Sequence, residues 1–254
     1  MDPGNRQNER SGNMEDNRKK LQEIITESDN IVFFGGAGVS TESGIPDFRS
    51  VDGLYHMKYD YPPETILSHT FFVRNTREFY RFYRDKMLCL DVQPNAAHLK
   101  LAELEAKGKL KAVVTQNIDG LHQMAGSKRV MELHGSVHRN YCKKCGKFYD
   151  AAYMLHYDGE VPKCECGGVI KPDVVLYEEG LDHQTIQDSI YYISHADVLI
   201  IGGTSLAVYP AAGLIDYFKG RYLVVINKAP TPRDRQADLL IQDPIGEVLG
   251  ALEV

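Results

Sequence analysis

The chain has 254 residues, 43% hydrophobic and 25% charged, with a net charge of −6. That balance suits one large globular domain, or one with a small companion, and excludes collagen-like, coiled-coil and disordered chains. No basic stripe suggests direct nucleic-acid binding, no apolar stretch reaches the about 20 residues of a membrane span, and no charged-then-apolar leader opens the chain. A cytoplasmic, reducing location and a monomer without membrane contact are therefore expected.

Residues 1–13 are polar and aperiodic and read as a disordered leader. A helix follows, with Leu21, Ile24, Ile25 and Ser28 on one face. Short apolar runs then recur at Ile31–Phe34, Ala112–Thr115, Val174–Tyr177, Val198–Ile201, Leu223–Ile226 and, more weakly, Leu239–Ile241. Most lack polar alternation, as strands covered on both faces do. Helical patterns lie between several of them: Ala97, Leu101 and Leu104 share a face, as do Ile186, Ile190 and Ile193. The expected fold is α/β, a parallel sheet with helices on both faces. Residues 51–90, rich in Tyr and Phe, and 139–168, rich in Cys, break the alternation. They read as insertions that form a small module beside a large domain of 14–50, 91–138 and 169–254.

The run Ile31–Phe34 leads directly into Gly35-Gly36-Ala37-Gly38. Glycines there let the backbone approach a pyrophosphate. The third glycine of the dinucleotide fingerprint is missing, so a plain strand–helix turn reads equally well. Beyond it, Asp47, Phe48 and Arg49 form a loop in which Phe48 can shield a reactive carbon and Arg49 can hold phosphate or ribose oxygens. Gln116, Asn117 and Asp119 follow a strand end, where open α/β sheets bind ligands. Loop capping is the plainer reading for them.

His134, one of nine histidines, precedes Gly135 after an apolar run. An imidazole suits general-base work near neutral pH. Cys142 and Cys145 are separated by two residues, Cys164 and Cys166 by one, and the pairs by eighteen. Two such knuckles suit a tetrahedral thiolate site with no open position, hence structural zinc. Gly167-Gly168 supplies backbone freedom beside the unusual Cys-Glu-Cys pair. Cys89 reads as a buried thiol.

Four segments together resemble the signatures of the sirtuins, bacterial-type NAD-dependent protein-lysine deacetylases. They are Gly36–Ser50 (GAGVSTESGIPDFRS), Thr115–His122 (TQNIDGLH), Leu133-His134-Gly135 and Gly202–Leu206 (GGTSL). The resemblance covers Met14 to the C-terminus and implies that the large domain is a Rossmann-like NAD-binding domain. It implies that His134 is the catalytic base and that Gly36, Ala37, Gly38, Asp47, Phe48, Arg49, Gln116, Asn117, Ile118, Asp119, Gly203, Thr204, Ser205 and Asn227 surround NAD. Within that set, Asn117 and Asp119 reach the nicotinamide, Gln116 its ribose, and Asn227 the adenosine ribose. His98 and His122 fall to packing roles.

The segment Lys171–Leu181 resembles the family's substrate element, where an acetyl-lysine peptide or protein pairs as an added strand. Val174, Val175 and Glu178 are its implied contacts. The family's Phe-Gly-Glu run is here Tyr177-Glu178-Glu179, so Glu178 departs from the pattern. The implied reaction transfers the acyl group from lysine to ADP-ribose, releasing nicotinamide and O-acetyl-ADP-ribose. Mono-ADP-ribosylation at the same NAD site is the alternative; a dehydrogenase or a zinc-ribbon module explains fewer motifs. Succinyl-preferring relatives carry a Tyr with an Arg three positions later. Here Tyr80 is followed by Tyr83 and then Arg84, so an uncharged acyl channel is expected.

Overall fold

The computed structural model describes residues 3–48 and 60–254, with side chains from residue 15 onward. Six strands form one parallel sheet in the order β3-β2-β1-β7-β8-β9. They are β1 (Ile31–Gly35), β2 (Leu110–Thr115), β3 (Val130–Glu132), β7 (Val198–Gly202), β8 (Tyr222–Ile226) and β9 (Leu239–Ile241). All five residues of β1 are buried, and the alternation of the strand divides them between two layers. Ile31 and Phe33 pack with Leu21 and Ile25 of α1 (Pro3–Glu27), Leu101 and Leu104 of α5 (Ala96–Ala106) and Val248 of α9 (Ile245–Gly250). Val32 and Phe34 pack on the other face with Ile193 of α8 (His183–His195), Leu214 and Ile215. Both faces are covered, which is why these strands carry continuous apolar runs.

From β1 the chain moves outward through β2 and β3, and later through β7, β8 and β9 on the opposite side. The sheet order therefore reverses between β1 and β7, and the crevice beyond their carboxyl ends is where such sheets bind ligands.

A second sheet of three antiparallel strands, in the order β5-β4-β6, joins β4 (Gly135–Cys142), β5 (Phe148–Tyr149) and β6 (Ile170–Val174). Around it lie α2 (Pro63–Ile66), α3 (His69–Arg74), α4 (Thr76–Phe82) with a π-helical turn at Tyr83–Met87, and α7 (Ala151–His156). Their core is aromatic: Phe79 meets Phe72 edge-on at 5.0 Å and stacks on Tyr83 at 5.6 Å. Cys142 and Cys164 belong to the same cluster.

Three expectations need correction. The segment read as a leader is helical from Pro3 onward, continuous with α1; proline is well placed at a helix start. The strand expected at Val174–Tyr177 instead ends at Val174 and begins at Ile170. It contains Pro172, which is tolerated because β6 is an edge strand. The small sheet also extends beyond 139–168, since β4 begins at Gly135 and β6 ends at Val174.

Candidate active site

The loops after β1 and β7 touch directly. Gly38 N–H donates to the Gly203 carbonyl at 2.8 Å. A Cβ on Gly38 would lie 2.8 Å from Gly203 Cα, and one on Gly36 would lie 2.8 Å from Thr204 Cβ. These glycines are required first by the close approach of two backbones. Their packing makes the floor of a cavity of about 490 Å³, within the range of about 300–1,000 Å³ usual for small-molecule sites.

Gly36, Ala37, Gly38, Asp47, Phe48, Gln116, Asn117, Ile118, Asp119, His134, Val174, Val175, Glu178, Gly203, Thr204, Ser205 and Asn227 all line this one cavity. Arg49 lies outside the described residues.

Gln116, Asn117 and Asp119 are each held from behind. Gln116 Nε2 donates to Thr204 Oγ1 at 3.0 Å, tying the end of β2 to the end of β7. Asn117 Nδ2 donates to Ser40 Oγ at 3.1 Å, and the Ser40 hydroxyl donates to Asp119 Oδ2 at 2.6 Å. The other Asp119 oxygen accepts the Leu121 N–H at 2.9 Å. Behind Ser40 stands His98. Its Nδ1 accepts the Asn95 N–H at 3.2 Å, so its proton sits on Nε2, 3.5 Å from Ser40 Oγ. Burial pushes the His98 pKa down to about 4 and that of His122, edge-on at 4.7 Å, to about 3. Both rings are therefore neutral at physiological pH. His98, expected only to pack, orients this network, and Ser40 was missed as a site residue. The nearby Pro94-Asn95 and His98 were the available signal, since Asn95 also caps α5.

His134 enters from the start of β4. Gly135 has φ +76°, and a Cβ there would lie 1.9 Å from the Asp173 carbonyl oxygen. Only glycine brings β4 this close to β6 at that point. His134 Nδ1 is 3.0 Å from the Gln116 carbonyl, while Nε2 has no partner among the described residues.

The segment after β6 is stitched to the helical insertion. Tyr177 N–H donates to the Leu67 carbonyl and His69 N–H to the Tyr177 carbonyl, each at 2.9 Å. Glu179 accepts from His69 Nδ1 at 2.8 Å and Lys171 Nζ at 3.1 Å. Between them Glu178 has φ +75°, a left-handed conformation costing a non-glycine residue about 1–2 kcal/mol.

The four clustered thiols also meet. The Sγ atoms of Cys142, Cys145, Cys164 and Cys166 lie within 4.8 Å of one another, with Cys142–Cys166 and Cys145–Cys164 at 3.5 Å. A tetrahedron with Zn–S of about 2.3 Å has edges of about 3.8 Å, so the donor set fits zinc. Gly168 is fixed by this closeness: a Cβ there would lie 2.6 Å from Cys142 Sγ. At one end of the cavity, the Gln116 and Asn117 amides, the Ser40 and Thr204 hydroxyls and the Asp119 carboxylate form a donor and acceptor set that fits the ribose hydroxyls and carboxamide of NAD.

A model of the Sir2 family matches residues 36–210. A Clostridium acetobutylicum protein named NAD-dependent protein deacetylase is 62% identical over 237 residues, 92% of this chain and 97% of its own length. One of the same name from Clostridium perfringens is 62% identical over 93% of this chain and 98% of its own. Among solved structures, a Sir2 enzyme superposes with a TM-score of 0.84 at 44% identity, covering 93% of this chain and 96% of that one. A Sir2 bound to acetylated peptide superposes at 0.81 with 39% identity, covering 91% and 94%.

Proposed function

The chain belongs to the Sir2 family, and from that premise we propose that it is an NAD-dependent protein-lysine deacetylase whose catalytic base is His134. One observation carries the reading: His134, with its proton fixed on Nδ1 by the Gln116 carbonyl, stands in the same cavity as the paired strand-end loops and the peptide-side segment. When bound, NAD supplies the ADP-ribosyl group that accepts the acetyl group, and nicotinamide is released.

The chain's own residues divide the work. The close-packed loops at Gly36–Gly38 and Gly203–Ser205 shape the dinucleotide floor, with Asn227 at the end of β8 serving the adenosine side. Gln116, Asn117 and Asp119, braced by Thr204 and Ser40, hold the nicotinamide ribose and carboxamide. Phe48, packed on the small module's core, excludes water. His134 Nε2 takes a proton from a ribose hydroxyl, making that oxygen the nucleophile. Val174, Val175 and Glu178 flank the acetyl-lysine peptide. The main-chain N–H and C=O of Glu178 have no partner among the described residues, leaving them to pair with an added strand. The thiolate quartet holds zinc structurally, since protein sulfurs fill all four positions.

Four thiols gathered for metal support a reducing, cytoplasmic setting. Among the described residues, no helix is long and apolar enough to cross a membrane. The test is NAD-dependent loss of acetyl from a lysine peptide, with matching nicotinamide release, by wild type and by His134→Ala. Nicotinamide release that does not depend on the acetylated peptide would instead favour mono-ADP-ribosylation.

A further inference from the structure

Glu178 combines two features that rarely coincide. Its backbone is left-handed, at φ +75°, where glycine is the unstrained choice. Its side chain nevertheless reaches across to α3: Oε2 accepts the Thr70 N–H at 2.9 Å and the Thr70 hydroxyl at 2.7 Å. A strained conformation persists where its surroundings over-determine it, and here both flanks are fixed as well. Tyr177 is bonded to Leu67 and His69 through its main chain, and Glu179 to His69, Lys171 and the Leu176 N–H.

We propose that Glu178 is a positioning residue for the peptide: its carboxylate straps the peptide-pairing segment to Thr70 at the start of α3 and so presents its own unpartnered main-chain groups in a fixed orientation. The proposal rests on the deacetylase reading for the identity of the peptide but not for the strap. Its chemistry follows from the geometry. Two donors converge on one oxygen, so the bonds are charge-assisted and short. They span 108 positions of sequence, joining the segment after β6 to the helical insertion. A segment already ordered in the binding conformation loses less entropy when the peptide docks. The strap therefore acts on peptide affinity, and the residues around His134 are left untouched by its loss.

Three substitutions separate strap from strain. Glu178→Ala removes the carboxylate and keeps a Cβ in the left-handed backbone. Glu178→Gly removes the carboxylate and relieves the strain. Glu178→Gln keeps an oxygen that accepts from Thr70. With full-length protein, saturating NAD and one acetyl-lysine peptide, Glu178→Ala is expected to raise the peptide KM about tenfold to a hundredfold, the scale of losing hydrogen bonds to a charged group. The change in kcat should be smaller than that in KM. Glu178→Gly should raise KM in the same way despite its easier backbone, and Glu178→Gln should restore most of the affinity. Amide hydrogen exchange on the free proteins supplies an independent reading. Exchange at Thr70 and at Tyr177–Glu179 should quicken in Glu178→Ala and Glu178→Gly and stay near wild type in Glu178→Gln.

A Glu178→Gly variant with wild-type or lower KM overturns the proposal, because strain rather than strapping would then govern the site. So does exchange unchanged in all three variants, or quickened exchange with no change in KM. If wild type removes no acetyl group from the peptide, the functional reading has failed, and the exchange pattern alone then decides whether Glu178 holds the segment.

Discussion

His134 donates its Nδ1–H to the Gln116 carbonyl oxygen at 3.0 Å. A carbonyl can only accept, so the ring proton is fixed on Nδ1 and Nε2 carries the free lone pair. Burial lowers the His134 pKa from its ordinary 6.5, opposed in part by this same bond. The proposed base is therefore neutral at pH 7 and stays neutral somewhat below pH 6.5. The acid limb of kcat/KM is expected below pH 6.5, and His134→Ala should fold normally while losing about 10²–10⁴ in deacetylation. A pH–rate profile and circular dichroism of the variant check both; a variant within a few-fold of wild type would show that the base is another group.

The two buried histidines behind Ser40 predict how stability responds to acid. Burial holds His98 at about 4 and His122 at about 3. The unfolded chain takes up these protons near pH 6.5. Between those limits the unfolded state binds more protons than the folded one, so stability is full above pH 6.5 and falls as pH drops toward 4. Neither ring nitrogen of His122 has a partner among the described residues, so His122→Phe breaks no hydrogen bond seen there. It is expected to stay within about 1 kcal/mol of wild type at pH 7.5 and to lose less stability on going to pH 5. Urea unfolding at the two pH values measures this; an equal or steeper loss in the variant contradicts it.

The features legible in the sequence were those with local signatures. The β1 run, the glycines after it, the His-Gly pair and the four cysteines each declare themselves within a few residues. Other features depend on partners far along the chain. Ser40 reaches His98 across 58 positions and Asp119 across 79, so the only hint of it, Pro94-Asn95 with His98, lies in a distant part of the sequence. The β4–β6 pairing bridges the whole cysteine segment, so the boundary of the small sheet could not be read from composition. Pro172 hid β6, because a proline inside a strand is acceptable only once the strand is known to be an edge. Glu178 was recognisable as a departure from pattern, but its partner Thr70 lies in another part of the fold.

One zinc per chain is expected, held by Cys142, Cys145, Cys164 and Cys166. Cys142 and Cys164 sit in the same apolar cluster as Phe72, Tyr149 and Ile170, so metal loss is felt in the core of the small module. Replacing any one cysteine by serine, or chelating the metal, should lower the melting temperature, because binding energy at such a site is folding energy. Elemental analysis of freshly purified protein settles the stoichiometry, and a quadruple serine variant of unchanged stability would remove the zinc assignment.

Asp119 receives a donor on each oxygen, Ser40 on Oδ2 and the Leu121 N–H on Oδ1. In Asp119→Asn one of these oxygens becomes an NH2 group facing a donor. Either the NH2 opposes the Leu121 N–H or the Ser40 hydroxyl must turn to accept from it, which disturbs the side of the cavity proposed for nicotinamide and spares the side at Asn227 proposed for adenosine. Nicotinamide exchange is expected to fall about 10- to 100-fold, the scale of losing a hydrogen bond to a charged group. ADP-ribose affinity should change far less. Equal losses in the two assays would mean that Asp119 only supports its loop.

Acyl selectivity follows from where Tyr80, Tyr83 and Arg84 point. None of the three lines the cavity. The Tyr80 hydroxyl donates to the Ile170 carbonyl, and Tyr83 is buried in the aromatic core. Burial raises both phenols above the usual range. Arg84 is turned the other way: its Nε donates to the Met154 carbonyl at 3.0 Å and its Nη1 to the Gly159 carbonyl at 2.7 Å. The guanidinium that would grip an acyl carboxylate is thus engaged in closing α7 and the turn after it. Leu67, Met87 and Val137 line the cavity beside Phe48 and Ile118, an apolar set. Lys86 also lines it but pairs with Asp85 at 3.1 Å, so a succinyl carboxylate would compete with that ion pair. Burying an unpaired carboxylate among apolar groups costs several kcal/mol, whereas acetyl presents no charge. Catalytic efficiency is therefore expected to favour acetyl over succinyl forms of one peptide by at least about tenfold, the equivalent of about 1.4 kcal/mol. Arg84→Ala should lower stability without narrowing that ratio. A preference for succinyl in wild type, or a ratio that collapses when Arg84 is removed, would show that Arg84 serves the acyl group after all.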